Sequence, residues 1–301
     1  MTVVALTKSA IRSNSPAGDL PPLPDQTTRR PSRVLPGFRL ALFCTGFYLA
    51  ILVLLPLSAV LFKSLSLPLD GWWKLLTDPR VLSALRVSFG TALLAAFINV
   101  FVGTLLAWVL VRYRLPAHRF WDALIDLPFA LPTAVAGIAL TAVYASDGAI
   151  GRYLQQFGID VVYTPLGIVV ALLFIGLPFV VRTVQPVLAE FDASVEEAAA
   201  SLGANRWQIF RRLILPAIRP ALLTGFALAF ARGVGEYGSV IFIAGNVPKV
   251  SEIAPLLIYI KLEQYDYAGA TALASIMLLI SFALLLLINQ QQRRLNRFQR
   301  R

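Results

Sequence analysis

Charge and chemically reactive side chains are scarce in this chain. Only 14% of its 301 residues are charged, against roughly 25% in a soluble domain. It has one cysteine, Cys44, so no intrachain disulfide can form. Cys44 and the single histidine, His118, cannot build a structural zinc site, which takes about four such ligands. No Gly-x-x-x-x-Gly-Lys-Ser/Thr run occurs, so the polypeptide has no recognisable loop for cradling the phosphates of ATP. An enzyme embedded in a membrane would need a nucleophile, an acid–base pair or a metal cluster, and the sequence offers none that is convincing. Neither a cofactor nor a metal is expected in this chain.

What the chain has is apolar sequence, 57% of the whole. Crossing the hydrocarbon core takes roughly 20 apolar residues as helix, and runs near that length occur at 40–62, 87–111, 127–146, 165–181 and 268–288. Asn99 is the only side-chain amide in the second, and Pro128 and Pro132 fall near the start of the third. A further span is irregular. Residues 220–231 are apolar, Arg232-Gly-Val-Gly-Glu236-Tyr-Gly interrupts, and apolar character resumes over 240–244, which makes the span either short or broken. The expected fold is all-α and integral to a membrane, with six transmembrane helices. The first run is too long for a signal-peptide core. Residues 251–263 suit a short interfacial helix, and Trp72, Trp73, Trp108 and Trp121 suit an aromatic belt.

Three segments follow: a disordered tail at 1–37, punctuated by prolines; a membrane domain at 38–292 with an organised loop at 190–216; and a basic tail at 293–301. The net charge of +11 is a topology signal here rather than a nucleic-acid footprint. Basic residues crowd the N-terminal tail, the loop after span two (Arg112, Arg114, Arg119), the segment after span four (Arg182, Arg206, Arg211, Arg212, Arg219) and the C-terminal tail. Fewer lie opposite, at Lys63, Lys74, Arg80, Arg86, Arg152, Lys249 and Lys261. Both termini are therefore expected in the cytoplasm.

The loop at 190–216 reads as two short helices. Ser194-Val-Glu-Glu197 fits a capping box, Ala198 to Ala200 continue the helix, and Gly203 suits its left-handed closure. Asn205 with Gln208 offers a second N-cap, and Pro216 is expected to end the second helix. A DNA-reading helix-turn-helix has the same local grammar. A loop held between two spans argues instead for a helix that docks in a partner's groove, with an interfacial hairpin as the plainer alternative.

These residues resemble a known signature. Glu197-Ala198-Ala199, Gly203 and Leu215-Pro216 keep the spacing of the EAA motif of binding-protein-dependent ABC importer permeases, with Leu213 in place of the commoner isoleucine. The blocks Gly235-Glu-Tyr-Gly-Ser-Val-Ile-Phe-Ile-Ala-Gly-Asn246 and Leu262-Glu-Gln-Tyr-Asp-Tyr-Ala-Gly-Ala-Thr-Ala272 are similar to the T-type permeases of sulfate/thiosulfate importers. Molybdate permeases share only part of the first. The resemblance covers about residues 36–292. It implies a five-helix permease core with one extra N-terminal span, and a cytoplasmic coupling helix made from Glu197, Ala198, Ala199, Gly203, Leu215 and Pro216. It also implies a second, related permease as heterodimer partner, two ATPase subunits that carry ATP and Mg, a periplasmic sulfate/thiosulfate-binding protein, and a bacterial inner-membrane location.

For the anion's route, the intramembrane charges are few. Arg232 and Glu236 stand four apart, which fits a structural ion pair. The functional alternative is that Arg232, or backbone N–H groups around Gly233, Gly235, Glu236, Tyr237, Gly238 and Ser239, lines the path or its gate. Asn99 and Thr183 need no role beyond bonding across helices. A secondary anion transporter would share the spans and the charge pair, but has no use for the EAA spacing.

Overall fold

The computed structural model describes residues 38–113 and 115–299. The expected tail at 1–37 lies outside the described residues, as do residues 300 and 301. All regular elements among the described residues are helices. One unit, ending at Leu54, contains α1 (Phe38–Leu49) and a π-helical turn, Ala50–Leu54. The other begins at Leu55 and contains α2 (Leu55–Ser64), α3 (Leu69–Thr77), α4 (Pro79–Arg112), α5 (His118–Ala130), α6 (Thr133–Tyr144), α7 (Gly151–Gln156), α8 (Pro165–Glu190), α9 (Ala193–Ser201), α10 (Arg206–Ile209), a π turn at Phe210–Ile214, α11 (Leu215–Val234), α12 (Val240–Ile243), α13 (Ala254–Glu263) and α14 (Tyr267–Gln299).

Five stretches are long and apolar enough to cross a membrane: Leu40–Ser64, Pro79–Arg112, Pro165–Glu190, Arg206–Val234 and Tyr267–Gln292. A sixth exists if α5 and α6 are one broken span, since they are bent by 110° to each other. This corrects the third span expected at 127–146 with both prolines near its start: the apolar segment begins at His118 and breaks between the two prolines. Pro128 sits inside the end of α5 and Pro132 precedes α6. Proline removes a helical N–H and disfavours helical backbone in the residue before it, so Leu131 is extended and the helix stops and restarts.

Three further expectations change. Span four runs on to Glu190 instead of ending near Val181, which places Arg182 within the helix and not in the loop. The helix-ending role of Pro216 fails, because the helix is continuous from Arg206 to Val234. A proline ring would collide with the carbonyl four residues back in α geometry, and the preceding turn widens to a π turn instead. Residues 251–263 are not a surface helix throughout: Ser251 and Glu252 are buried, as are Ala254, Leu256 and Leu257 of α13.

The core is a three-helix contact of α4, α8 and α11. Small residues allow it, as expected where helices associate without a hydrophobic drive between them. A Cβ on Gly225 of α11 would stand 2.5 Å from the Thr183 hydroxyl and 2.9 Å from the Val180 Cα. Buried Asn99 approaches the Leu172 carbonyl at 3.5 Å. Thr183 donates back to the Phe179 carbonyl at 2.9 Å. α14 packs on α2, α11 and α13.

Candidate functional sites: an exposed loop helix and a broken span

The first site is α9. Its cap is not Ser194. The helix begins two residues earlier, with Asp192 accepting a 2.9 Å hydrogen bond from the Ser194 N–H, so the Ser194–Glu197 capping box is not formed. A carboxylate at this position adds a favourable interaction with the helix dipole that serine lacks. The same backbone hydrogen bond holds the Asp192 carboxyl below its ordinary pKa.

The other end closes as expected. Gly203 has φ of 86°. Its N–H donates to the Ala200 carbonyl at 2.9 Å, and the Ala204 N–H donates to Ala199 at 3.0 Å, the paired bonds of a Schellman motif. The second cap is also formed, Asn205 and Gln208 each accepting from the other's backbone N–H.

One face of α9 is tied down and the other is open. Glu196 pairs with Arg112 in the last turn of α4, and Ala199 and Ala204 pack on the core. Glu197, Ala198 and Gly203 are exposed, and Leu202 is 89% exposed. Leu215 and Pro216 are half-buried at the head of α11, with Leu215 on the core. The structure therefore separates them from the exposed part of the motif. The sequence reading missed Glu196, which only a partner 84 residues away makes meaningful, and Leu202, which stands out only once its exposure is known.

The second site is the end of α11. The helix stops at Val234, and the Gly235 N–H caps back onto the Gly233 carbonyl. A Cβ on Gly233 would stand 3.3 Å from the Cβ of Ala92. Ala92 lies about 20 Å along α4 from its first residue at 1.5 Å per residue, so α11 ends inside the span rather than at its edge.

Glu236, 3% exposed, holds this break together. One carboxylate oxygen pairs with the Arg232 guanidinium at 2.5 Å. The other accepts from the Ser239 N–H and hydroxyl, both at 3.0 Å. Arg232 remains 36% exposed at its side chain, and Tyr237 lies against Tyr259, rings 5.8 Å apart. The N–H groups of Gly235, Glu236 and Ser239 are thus engaged within the protein. Of the groups expected to be available there, Glu236 and Ser239 are buried, Gly235 is exposed, and Arg232 is the one cation that keeps open surface.

The bend between α5 and α6 meets this break. A Cβ on Gly137 of α6 would lie 2.4 Å from the Ser239 carbonyl oxygen, and one on Gly238 2.2 Å from the Thr133 hydroxyl. Two discontinuous helices thus face each other within the bundle, and such breaks mark transport sites in membrane proteins because they bring backbone groups and helix ends to mid-depth.

Two charge clusters went unread. Arg182 forms a fork onto Asp126 at 2.8 and 2.6 Å and reaches Asp122 at 2.8 Å, tying α8 to α5. Arg80, at the start of α4, forks onto Glu252 at 2.8 and 2.6 Å.

A bundle of membrane-length helices, with an open loop helix at one end and opposed helix breaks within, defines a membrane transport subunit. The model of the family described as "Binding-protein-dependent transport system inner membrane component" matches residues 99–301. The sulfate transport system permease protein CysT of Escherichia coli (strain K12) is 47% identical over 265 residues, covering 88% of this chain and 96% of that protein. CysT of Synechocystis sp. is 50% identical over 248 residues, covering 82% and 87%. A chain in the crystal structure of a bacterial alginate ABC transporter, in complex with an alginate pentasaccharide-bound periplasmic protein, superposes with a TM-score of 0.68 at 18% identity, over 85% of this chain and 93% of that one, a likeness of fold. The chain belongs to the binding-protein-dependent transport system inner membrane component family, within its branch of CysT permeases. It is a multi-pass inner-membrane protein and a transport subunit, not an enzyme.

Proposed function

We propose that this chain is the membrane permease of an ATP-driven importer that passes sulfate into the cytoplasm. The likeness to CysT proteins over most of the chain supports the substrate. The open face of α9, from Glu197 to Gly203, carries the mechanism. In this reading a cytoplasmic ATPase subunit covers that face, while Arg112–Glu196 transmits its displacement to α4. A second, related permease and its own ATPase complete the membrane assembly, ATP and Mg reside on the ATPases, and a periplasmic protein delivers sulfate or thiosulfate. Both termini are cytoplasmic in this arrangement. ATP-driven closure of the ATPases draws the loop helices together and rocks the spans between inward- and outward-facing states.

Glu197, Ala198, Ala199 and Gly203 form the docking element in this reading, and Leu215 and Pro216 orient it from the head of α11. Radiolabelled sulfate uptake in a deletion strain tests both halves, with molybdate as competitor. Wild type should restore uptake and Glu197→Lys should lower it at least tenfold, with the variant still inserted. Uptake that is normal in the deletion strain, or lost to molybdate competition at low concentration, would move the substrate to another oxyanion.

Arg232 is assigned to the anion's path, with Gly233, Gly235, Tyr237, Gly238 and Ser239 shaping the turn and Glu236 offsetting its charge. An intramembrane cation that keeps open surface beside a helix break supports this. Arg232→Gln should cut uptake by roughly tenfold or more, the loss of about one charge-assisted hydrogen bond to a dianion, while the complex still assembles. Normal uptake with normal assembly would leave the pair a structural one.

A further inference from the structure

We propose that the junction between the loop helix and α11 binds an anionic phospholipid, with its headgroup on Arg211 and Arg212 and an acyl chain in the groove between α4 and α11. Two adjoining cavities carry this. One, of about 550 Å³, is almost wholly apolar and is lined by Phe101, Leu105 and Trp108 of α4 and by Phe210, Leu215 and Leu222 on the other side. The second, of about 440 Å³, is lined by Trp207, Gln208, Arg211 and Arg212. Trp207 lines both.

The order of chemistry along the site is that of a lipid at a membrane surface. Arg211 and Arg212 are exposed and have no carboxylate partner among the described residues. Trp207 stacks on Phe210 with centroids 5.8 Å apart, and Trp108 meets Phe210 edge-on at 5.9 Å, forming the aromatic layer that sits at headgroup level. Phe101, about 10 Å further along α4, and Leu105 are more than 60% exposed and continue the apolar floor. Arg112 lies over the Trp108 ring at 5.5 Å but is already neutralised by Glu196. Arg211 and Arg212 line the polar cavity while no cation lines the apolar one, and the site offers an anionic headgroup two basic contacts, together worth roughly tenfold over a zwitterionic one.

The lipid would brace the π turn, the one irregular point between the loop and the span. The assembled importer in nanodiscs of phosphatidylcholine doped with phosphatidylglycerol provides the test, read by native mass spectrometry. Wild type should retain phosphatidylglycerol about tenfold over its bulk share. Arg211→Gln with Arg212→Gln should lose that enrichment, the paired lysine variant should keep most of it, and Leu105→Trp, which fills the groove, should displace either lipid. Glycerol 3-phosphate, which has no acyl chain, should not compete. Equal retention by wild type and the glutamine pair overturns the proposal. So does competition by glycerol 3-phosphate, which would mean a bare anion site, or crosslinking of a residue 105 probe to the second permease, which would make the groove a subunit interface.

Discussion

Arg80→Ala will destabilise the protein by about 3 kcal/mol. Its partner Glu252 is 1% exposed, so the truncation leaves a carboxylate buried without its cation, and the loss is dominated by that uncompensated charge rather than by the pair's own attraction. The arginine itself is 37% exposed at its side chain, so Glu252→Gln should cost much less, the cation turning to water. Replacing both by methionine should restore most of the stability. Thermal unfolding of the purified complex distinguishes these outcomes. Equal losses for Arg80→Ala and Glu252→Gln would show that burial of the carboxylate is not what the pair resolves.

Gly137→Ala is the second large effect. The new Cβ would lie 2.4, 2.7 and 2.9 Å from the O, Cα and C atoms of Ser239, all of them backbone, so no rotamer change relieves the contact. Either α6 or the turn after α11 must move, at a cost of roughly 1–3 kcal/mol, and the motion falls where the two broken helices meet. Sulfate uptake should fall by about tenfold or more, if the site tolerates no more than that strain. Gly90→Ala is the matched control. Its Cβ would meet nothing within 4 Å and it lies within α4, where alanine is the better helix former, so it should transport like wild type. A neutral Gly137→Ala would mean that α6 and the break are not held in contact during transport.

Much of the architecture was legible because apolar runs of bilayer length leave few alternatives. Gly203 was legible too, since a glycine after a run of alanines has one common use. The helix start was not, because Asp192 and Ser194 are both good caps and sequence spacing favoured the second through Glu197. With Asp192 as the cap, Glu196 lies in the first turn of α9, where it pairs with Arg112. The prolines at 128 and 132 suited the start of one span, because the helix that ends on them, α5, begins ten residues earlier at His118 in a polar stretch that hydropathy alone does not extend. The 110° bend is seen only in the structure. Arg80 and Glu252 are 172 positions apart, and no local pattern links them. At Arg232 and Glu236 the plain reading, an ion pair, is present in the structure.

The bend of α5 on α6 also constrains how the chain is made. Their 13 and 12 residues reach only about 20 and 18 Å as helix, too short for either to span the bilayer alone. A translocating channel therefore meets His118–Tyr144 as one segment, before the helices that receive α6 have been synthesised. Asp122 and Asp126 enter the membrane region ahead of Arg182, their eventual cation, and unpaired carboxylates are costly there. The fold at Leu131 and Pro132 is thus a late event in biogenesis, completed when α8 and α12 arrive, and a nascent chain stalled before residue 182 should be held less securely in the lipid than its hydropathy suggests.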